Sequence, residues 1–135
     1  MISVWFVLSA AALTVQQTDI TVRGWQPEWR QSLEYEIALD RYDIVPDVIR
    51  LPANQPVRLR FLNNTPGILS FSAPGFFRTA LVRSGDERWL ENGALRLAPG
   101  ERREVVLVPA AGRYGARSRN FFHRLLGMSA EIIVE

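Results

Sequence analysis

Arg113-Tyr-Gly-Ala-Arg-Ser-Arg-Asn-Phe-Phe-His-Arg-Leu-Leu-Gly-Met-Ser-Ala-Glu-Ile-Ile-Val-Glu135 reads as two strands and the loop that joins them. A strand enters at Tyr114, an irregular loop carries Ser118, His123 and Met128, and a further strand covers residues 131–134. Upstream, the same extended pattern recurs. Leu33, Tyr35, Ile37 and Leu39 alternate with Glu34, Glu36, Ala38 and Asp40, the two-residue period of a strand with one wet face. Residues 48–51 form a short strand, and Val57, Leu59 and Phe61 alternate with Arg58 and Arg60 in another. Pro46 fixes its own φ in the bend at residues 41–47, and Asn54 can take positive φ in the turn Pro52-Ala-Asn-Gln-Pro56.

Asn63-Asn-Thr-Pro-Gly67 breaks the chain, and residues 68–71 resume it as a strand. Residues 76–82 place apolar side chains at helical spacing, which predicts one or two turns of helix. Residues 84–87 are loop, 94–97 strand, Ala98-Pro-Gly-Glu101 a turn with glycine where one is needed, and 104–108 strand. Seven to eight short strands, closely spaced turns and at most one short helix predict an all-β Greek-key sandwich. No internal repeat or second domain is visible.

At 135 residues, 47% hydrophobic and 22% charged, the chain has the size and composition of one globular domain. Zero cysteines exclude a disulfide, a thiolate ligand and a thiol nucleophile. All 16 basic residues are arginine, and acids scattered among them leave a net charge of only +2. That is too little concentrated positive charge for nucleic-acid binding, so no nucleic-acid partner is expected. Residues 1–17 have the form of a signal peptide, with an apolar run at 2–13 and small residues Ala10, Ala11 and Ala12 for cleavage. The run is too short to span a bilayer comfortably, so no membrane attachment is expected beyond export. A buried first strand is the alternative. Residues 18–32 form an N-terminal strand and insert, in which Trp25 and Trp29 beside Pro27 cap the sandwich, and residues 33–135 form the domain proper.

The order of elements resembles the cupredoxin family. Asp47-Val-Ile-Arg-Leu-Pro-Ala-Asn-Gln-Pro-Val-Arg-Leu-Arg-Phe-Leu-Asn-Asn64 resembles its strand pair ending in Phe-x-Asn, with Asn54 where glycine is usual. Leu97-Ala-Pro-Gly-Glu101 resembles its L-x-P-G-E turn. Gly112-Arg-Tyr114 through Gly127-Met128 and the strand after it resemble its G-x-Y…C…H…G-M ending, and Ala73-Pro-Gly-Phe-Phe77 matches small exported bacterial members. The resemblance implies a periplasmic or secreted protein. It also implies a mononuclear copper site with ligands from two His, one Cys and a Met.

Carried over residue by residue, that site is degenerate. The first His position falls at Leu69 and the Cys position at Ser118, while the second His matches His123 and the axial Met matches Met128. A blue-copper centre needs a thiolate with two imidazoles. Zero cysteines and a single His exclude one. No cofactor is therefore expected. The residual candidates His123 and Met128 form a pair that suits Cu(I), but two donors fall short of a usual ligand set, and Arg117, Arg119 and Arg124 disfavour a cation.

The resemblance also implies an apolar patch at the metal end on which partners dock. Here Phe76, Phe77, Phe121, Phe122 and Leu125 with Arg117, Arg119 and Arg124 are the candidates for contact with a protein partner whose identity the chain does not encode. A solvated charged edge is the plainer account of the arginines. No catalytic residues are expected: the only histidine is His123, no Gly-x-Ser-x-Gly elbow occurs, and Glu34 and Glu36 lie on a wet strand face. Two functions remain open, a metal-free interaction or structural module and a weak copper-handling protein.

Overall fold

A computed structural model describes residues 27–41, 43–118 and 128–135. The segments with period-2 alternation form β1 (Leu33–Leu39) and β4 (Val57–Asn63), and the other seven-residue strands are β9 (Arg102–Val108) and β10 (Gly112–Ser118). Shorter strands are β3 (Val48–Leu51), β5 (Leu69–Ser72), β8 (Ala94–Leu97) and β11 (Ser129–Val134). Three two-residue strands, β2 (Ile44–Val45), β6 (Leu81–Val82) and β7 (Leu90–Glu91), complete the set among the described residues. Two residues carry no alternation, which is why periodicity predicts seven to eight strands and misses these three.

The strands make two sheets, ordered β2-β1-β4-β9-β6 and β3-β11-β10-β5-β8-β7. Each two-residue strand sits on a sheet edge, a length that offers little template for pairing with another chain. Two pairings are parallel, β1 with β4 from Leu33↔Val57 to Leu39↔Asn63 and β3 with β11 from Val48↔Glu131 to Leu51↔Val134. Parallel neighbours cannot be joined by a hairpin, so the chain crosses between layers in both cases. Residues 1–17 and the strand expected at 19–23 lie outside the described residues, as does Trp25.

The inward faces close one core. Ile37, Leu39, Val57, Leu59, Phe61, Val105 and Leu107 of one sheet meet Phe71, Leu95, Leu97, Ile132 and Val134 of the other. Leu33 departs from the expected alternation. It stands 50% exposed at the open end of β1, where the core does not reach it. Asn54 takes φ 61°, the turn conformation expected of it.

The helix, α1 (Pro74–Thr79), begins two residues earlier than spacing alone suggests. Pro74 occupies its first turn, where the missing N–H costs nothing. Beyond it, a short 3₁₀ turn at Asp86–Trp89 is tied to β9 by the nearly buried Asp86. Its carboxylate accepts the Val106 N–H at 2.9 Å and two bonds from the Arg83 guanidinium.

Candidate functional site

Three of the four positions singled out by the ligand pattern converge at one end of the six-stranded sheet. Ser118 is the final residue of β10 and lies opposite Phe71 of β5. On its other side its N–H donates to the Met128 carbonyl at 3.2 Å. Leu69 lies two residues from Phe71 on the same inward face of β5. Burial is complete: Leu69 and Met128 are 1% exposed and Ser118 is 0% exposed. The fourth position, His123, lies outside the described residues, together with Arg119, Phe121, Phe122, Arg124 and Leu125.

Two expectations need correction. Ser118 does not lie in the loop, because β10 stays regular through it, with Ala116 and Ser118 buried and Arg113, Gly115 and Arg117 exposed. Arg113 and Arg117 therefore share one outer face, where Arg113 approaches Glu131 at 3.6 Å. Both partners are well exposed, so this pair adds little stability.

The second correction removes Phe76 and Phe77 from any docking patch. They are 0% and 5% exposed. Their rings continue a chain of aromatic contacts, Phe61 to Phe71 at 4.9 Å, Phe71 to Phe77 at 6.2 Å, Phe77 to Phe76 at 5.2 Å and Phe76 to Tyr114 at 5.6 Å. A six-residue helix wedged over β10 buries both adjacent phenylalanines, whereas a longer surface helix would expose one of them.

A different cluster is built where the 3₁₀ turn, the turn after β8 and the start of β9 meet. The Arg103 guanidinium lies 3.6 Å from the centre of the Trp89 ring, and that of Arg88 lies 4.5 Å from it. Arg103 also pairs with Glu101, whose other oxygen accepts the Ala98 N–H at 3.0 Å. The Arg103 Nε atom is buried without a partner. The sequence signals were slight, Arg88 beside Trp89 and a two-residue step from Glu101 to Arg103. The contact between the two pairs is made only by folding.

The Ala98 N–H first, and then the Arg103 guanidinium, hold the Glu101 carboxyl below its ordinary value. A depressed carboxyl stabilises the fold above its unfolded value of 4.5 and loses that contribution as pH falls through the lower folded value. Glu101→Gln is therefore expected to lower stability at pH 7. Below about pH 4.5 it should shed less further stability than the wild-type chain. Urea titrations at pH 7 and pH 3.5 measure the difference, and parallel losses in both proteins would refute the assignment.

Compared with solved structures, the chain superposes on a reduced auracyanin from the photosynthetic bacterium Roseiflexus castenholzii with a TM-score of 0.56 and 18% identity. The match covers 77% of this chain and 98% of that one. Auracyanin A of Chloroflexus aurantiacus, described as a "blue" copper protein, gives a TM-score of 0.52 at 21% identity, covering 77% of this chain and 99% of that one. The fold is cupredoxin-like. The McoA multicopper oxidase of Aquifex aeolicus matches with a TM-score of 0.61 at 12% identity, over 82% of this chain and 31% of the oxidase. No family model and no curated protein matches the chain.

The residues at the metal end of this cupredoxin-like fold do not fit a blue copper ion. Leu69 has no lone pair to give, the Ser118 hydroxyl is a poor ligand at neutral pH, and the whole chain has no thiolate. Among the described residues no three His, Cys, Asp or Glu side chains gather where a metal could be held. Among the described residues, the three matched positions offer hydrocarbon, a thioether and one hydroxyl.

Proposed function

We propose that this chain is an exported, copper-free cupredoxin-like module that acts by binding another protein rather than by transferring electrons or catalysing a reaction. The observation that supports this most is the burial, among the described residues, of the positions that the cupredoxin pattern assigns to ligands. Leu69 and Met128 belong to the hydrophobic core, and Ser118 is paired into the sheet between them. Of the four positions, Leu69 and Ser118 depart from the donor pattern while His123 and Met128 keep it, and the three that are described are buried, Leu69 and Met128 at 1% and Ser118 at 0% exposure.

Copper titration of the purified protein tests the proposal. We expect no binding of Cu(I) or Cu(II) at micromolar or tighter concentrations. Tight binding by the wild-type chain, abolished by His123→Ala, would instead establish a copper-handling protein that uses His123 and Met128. The double variant Leu69→His/Ser118→Cys, with His123 and Met128 retained, is expected to bind Cu(II) and gain a thiolate-to-copper absorption band. A folded double variant that binds copper without that band would show that Leu69 and Ser118 are not the former ligand positions.

A further inference from the structure

We infer that the depression beside Trp89 is the protein-binding surface of this module and that it takes an acidic segment carrying an apolar side chain. The inference rests on the protein-binding function proposed above and adds to it where the contact lies and what it recognises. The depression is about 400 Å³ and is lined by Ile68, Arg88, Trp89, Glu91, Arg96 and Arg103, among others. Ile68 is 50% exposed and Trp89 is 36% exposed. Together they present apolar surface, whereas all four described phenylalanines, Phe61, Phe71, Phe76 and Phe77, are buried.

Charge decides the partner. Glu101 is fully engaged by the Ala98 N–H and Arg103, and Arg103 in turn is spent on Glu101 and the Trp89 ring. Arg88 and Arg96 have no carboxylate partner among the described residues, which leaves Glu91 as the one unpaired acid on the rim. Arg96 stands across β8 and β5 from Ser70, and Ser72 stands across from Arg117. Hydroxyls and the guanidinium groups of Arg96 and Arg117 therefore continue from the depression across the outer face of the sheet. Guanidinium groups bind carboxylates in a two-pronged geometry, and Trp and Arg are the residues that most often dominate protein contacts.

The stack of Arg103 on Trp89 matters here because it holds the ring in place before a partner arrives, which reduces the ordering cost of binding. A small molecule is the poorer occupant. Pockets for small ligands enclose most of the ligand surface, whereas two of the apolar walls here are themselves open to solvent.

The probe is a blocked peptide with one Leu flanked on both sides by pairs of Glu, compared with the same peptide carrying Lys for Glu. Both are titrated into the ¹⁵N-labelled full chain. The acidic peptide should shift the amides of Ile68 and Arg96 and the indole of Trp89. It should bind about tenfold or more tightly than the Lys peptide and weaken as salt is raised. Arg88→Glu/Arg96→Glu, both exposed changes, should erase the preference, and Trp89→Ala should weaken the acidic peptide about tenfold.

Equal affinity for the two peptides, shifts that map elsewhere, or a preference that survives Arg88→Glu/Arg96→Glu would each overturn the inference. Tight copper binding by a chain that still takes the acidic peptide at Trp89 would overturn the copper-free function and leave this surface standing. A copper-free chain that ignores the peptide would overturn this surface alone.

Discussion

Asn63→Ala is expected to destabilise the protein by on the order of 4 kcal/mol, because five hydrogen bonds made by one buried side chain are lost at once. Asn63 is 0% exposed at the end of β4. Its side-chain amide donates to the carbonyls of Gly67 at 2.8 Å, Ala98 at 3.1 Å and Leu97 at 3.2 Å. Its carbonyl oxygen accepts the Thr65 hydroxyl at 2.7 Å and the Thr65 N–H at 3.1 Å. One side chain thus joins the end of one sheet to the turn after β8 in the other. The Ala98 carbonyl keeps the Glu101 N–H and the Gly67 carbonyl keeps the Thr65 hydroxyl, but alanine leaves the Thr65 N–H without its acceptor and opens a cavity where the amide stood. Set against a domain stability of about 5–15 kcal/mol, the loss is large. Urea unfolding should show a lower midpoint with an unchanged slope. A loss under about 1 kcal/mol would mean that water reaches the site and replaces the amide.

Gly93→Ala is the second large effect, expected to cost about 3 kcal/mol or more through overpacking and backbone strain together. Gly93 has φ +75°, and a methyl group built there would collide with the Cα of Pro74 and lie 2.7 Å from its Cβ. The neighbour cannot yield easily, since Pro74 is rigid and starts α1, while the Ala73 N–H is held by the Gly93 carbonyl at 2.9 Å. Relief would require moving the helix that buries Phe76 and Phe77. The comparison substitution is Gly67→Ala, where an added methyl meets nothing within 4 Å. Thermal unfolding should separate the two clearly, and similar midpoints for both would show that the close approach at Pro74 is not rigid.

Much of the sandwich was legible wherever one strand face meets the core, because alternation is then imposed by burial. The residues at 48–51 and 94–97 form strands with the bounds that the pattern predicts. Ser118 was misplaced because Arg117, Ser118 and Arg119 look like loop composition. Its place in β10 is set by pairing with Phe71 and Met128, which no local pattern encodes. Phe76 and Phe77 were misread for a related reason: adjacent aromatics are both buried only when a third element covers the helix. The candidate surface at Trp89 was least legible, since it joins residues from β7, β8, β9 and the 3₁₀ turn with Ile68, which precedes β5. The absence of a thiolate, by contrast, needed only the composition.

The parallel pairing of β3 with β11 sets an order of events during synthesis. Val48 has to wait for Glu131, and β10, the centre of the same sheet, also leaves the ribosome long after β3. The six-stranded layer therefore cannot be completed until β11 has emerged, and its inward face remains uncovered until then. A chain with this topology spends its nascent life with apolar strands exposed, so a holding chaperone is useful to it before any partner of the finished fold is.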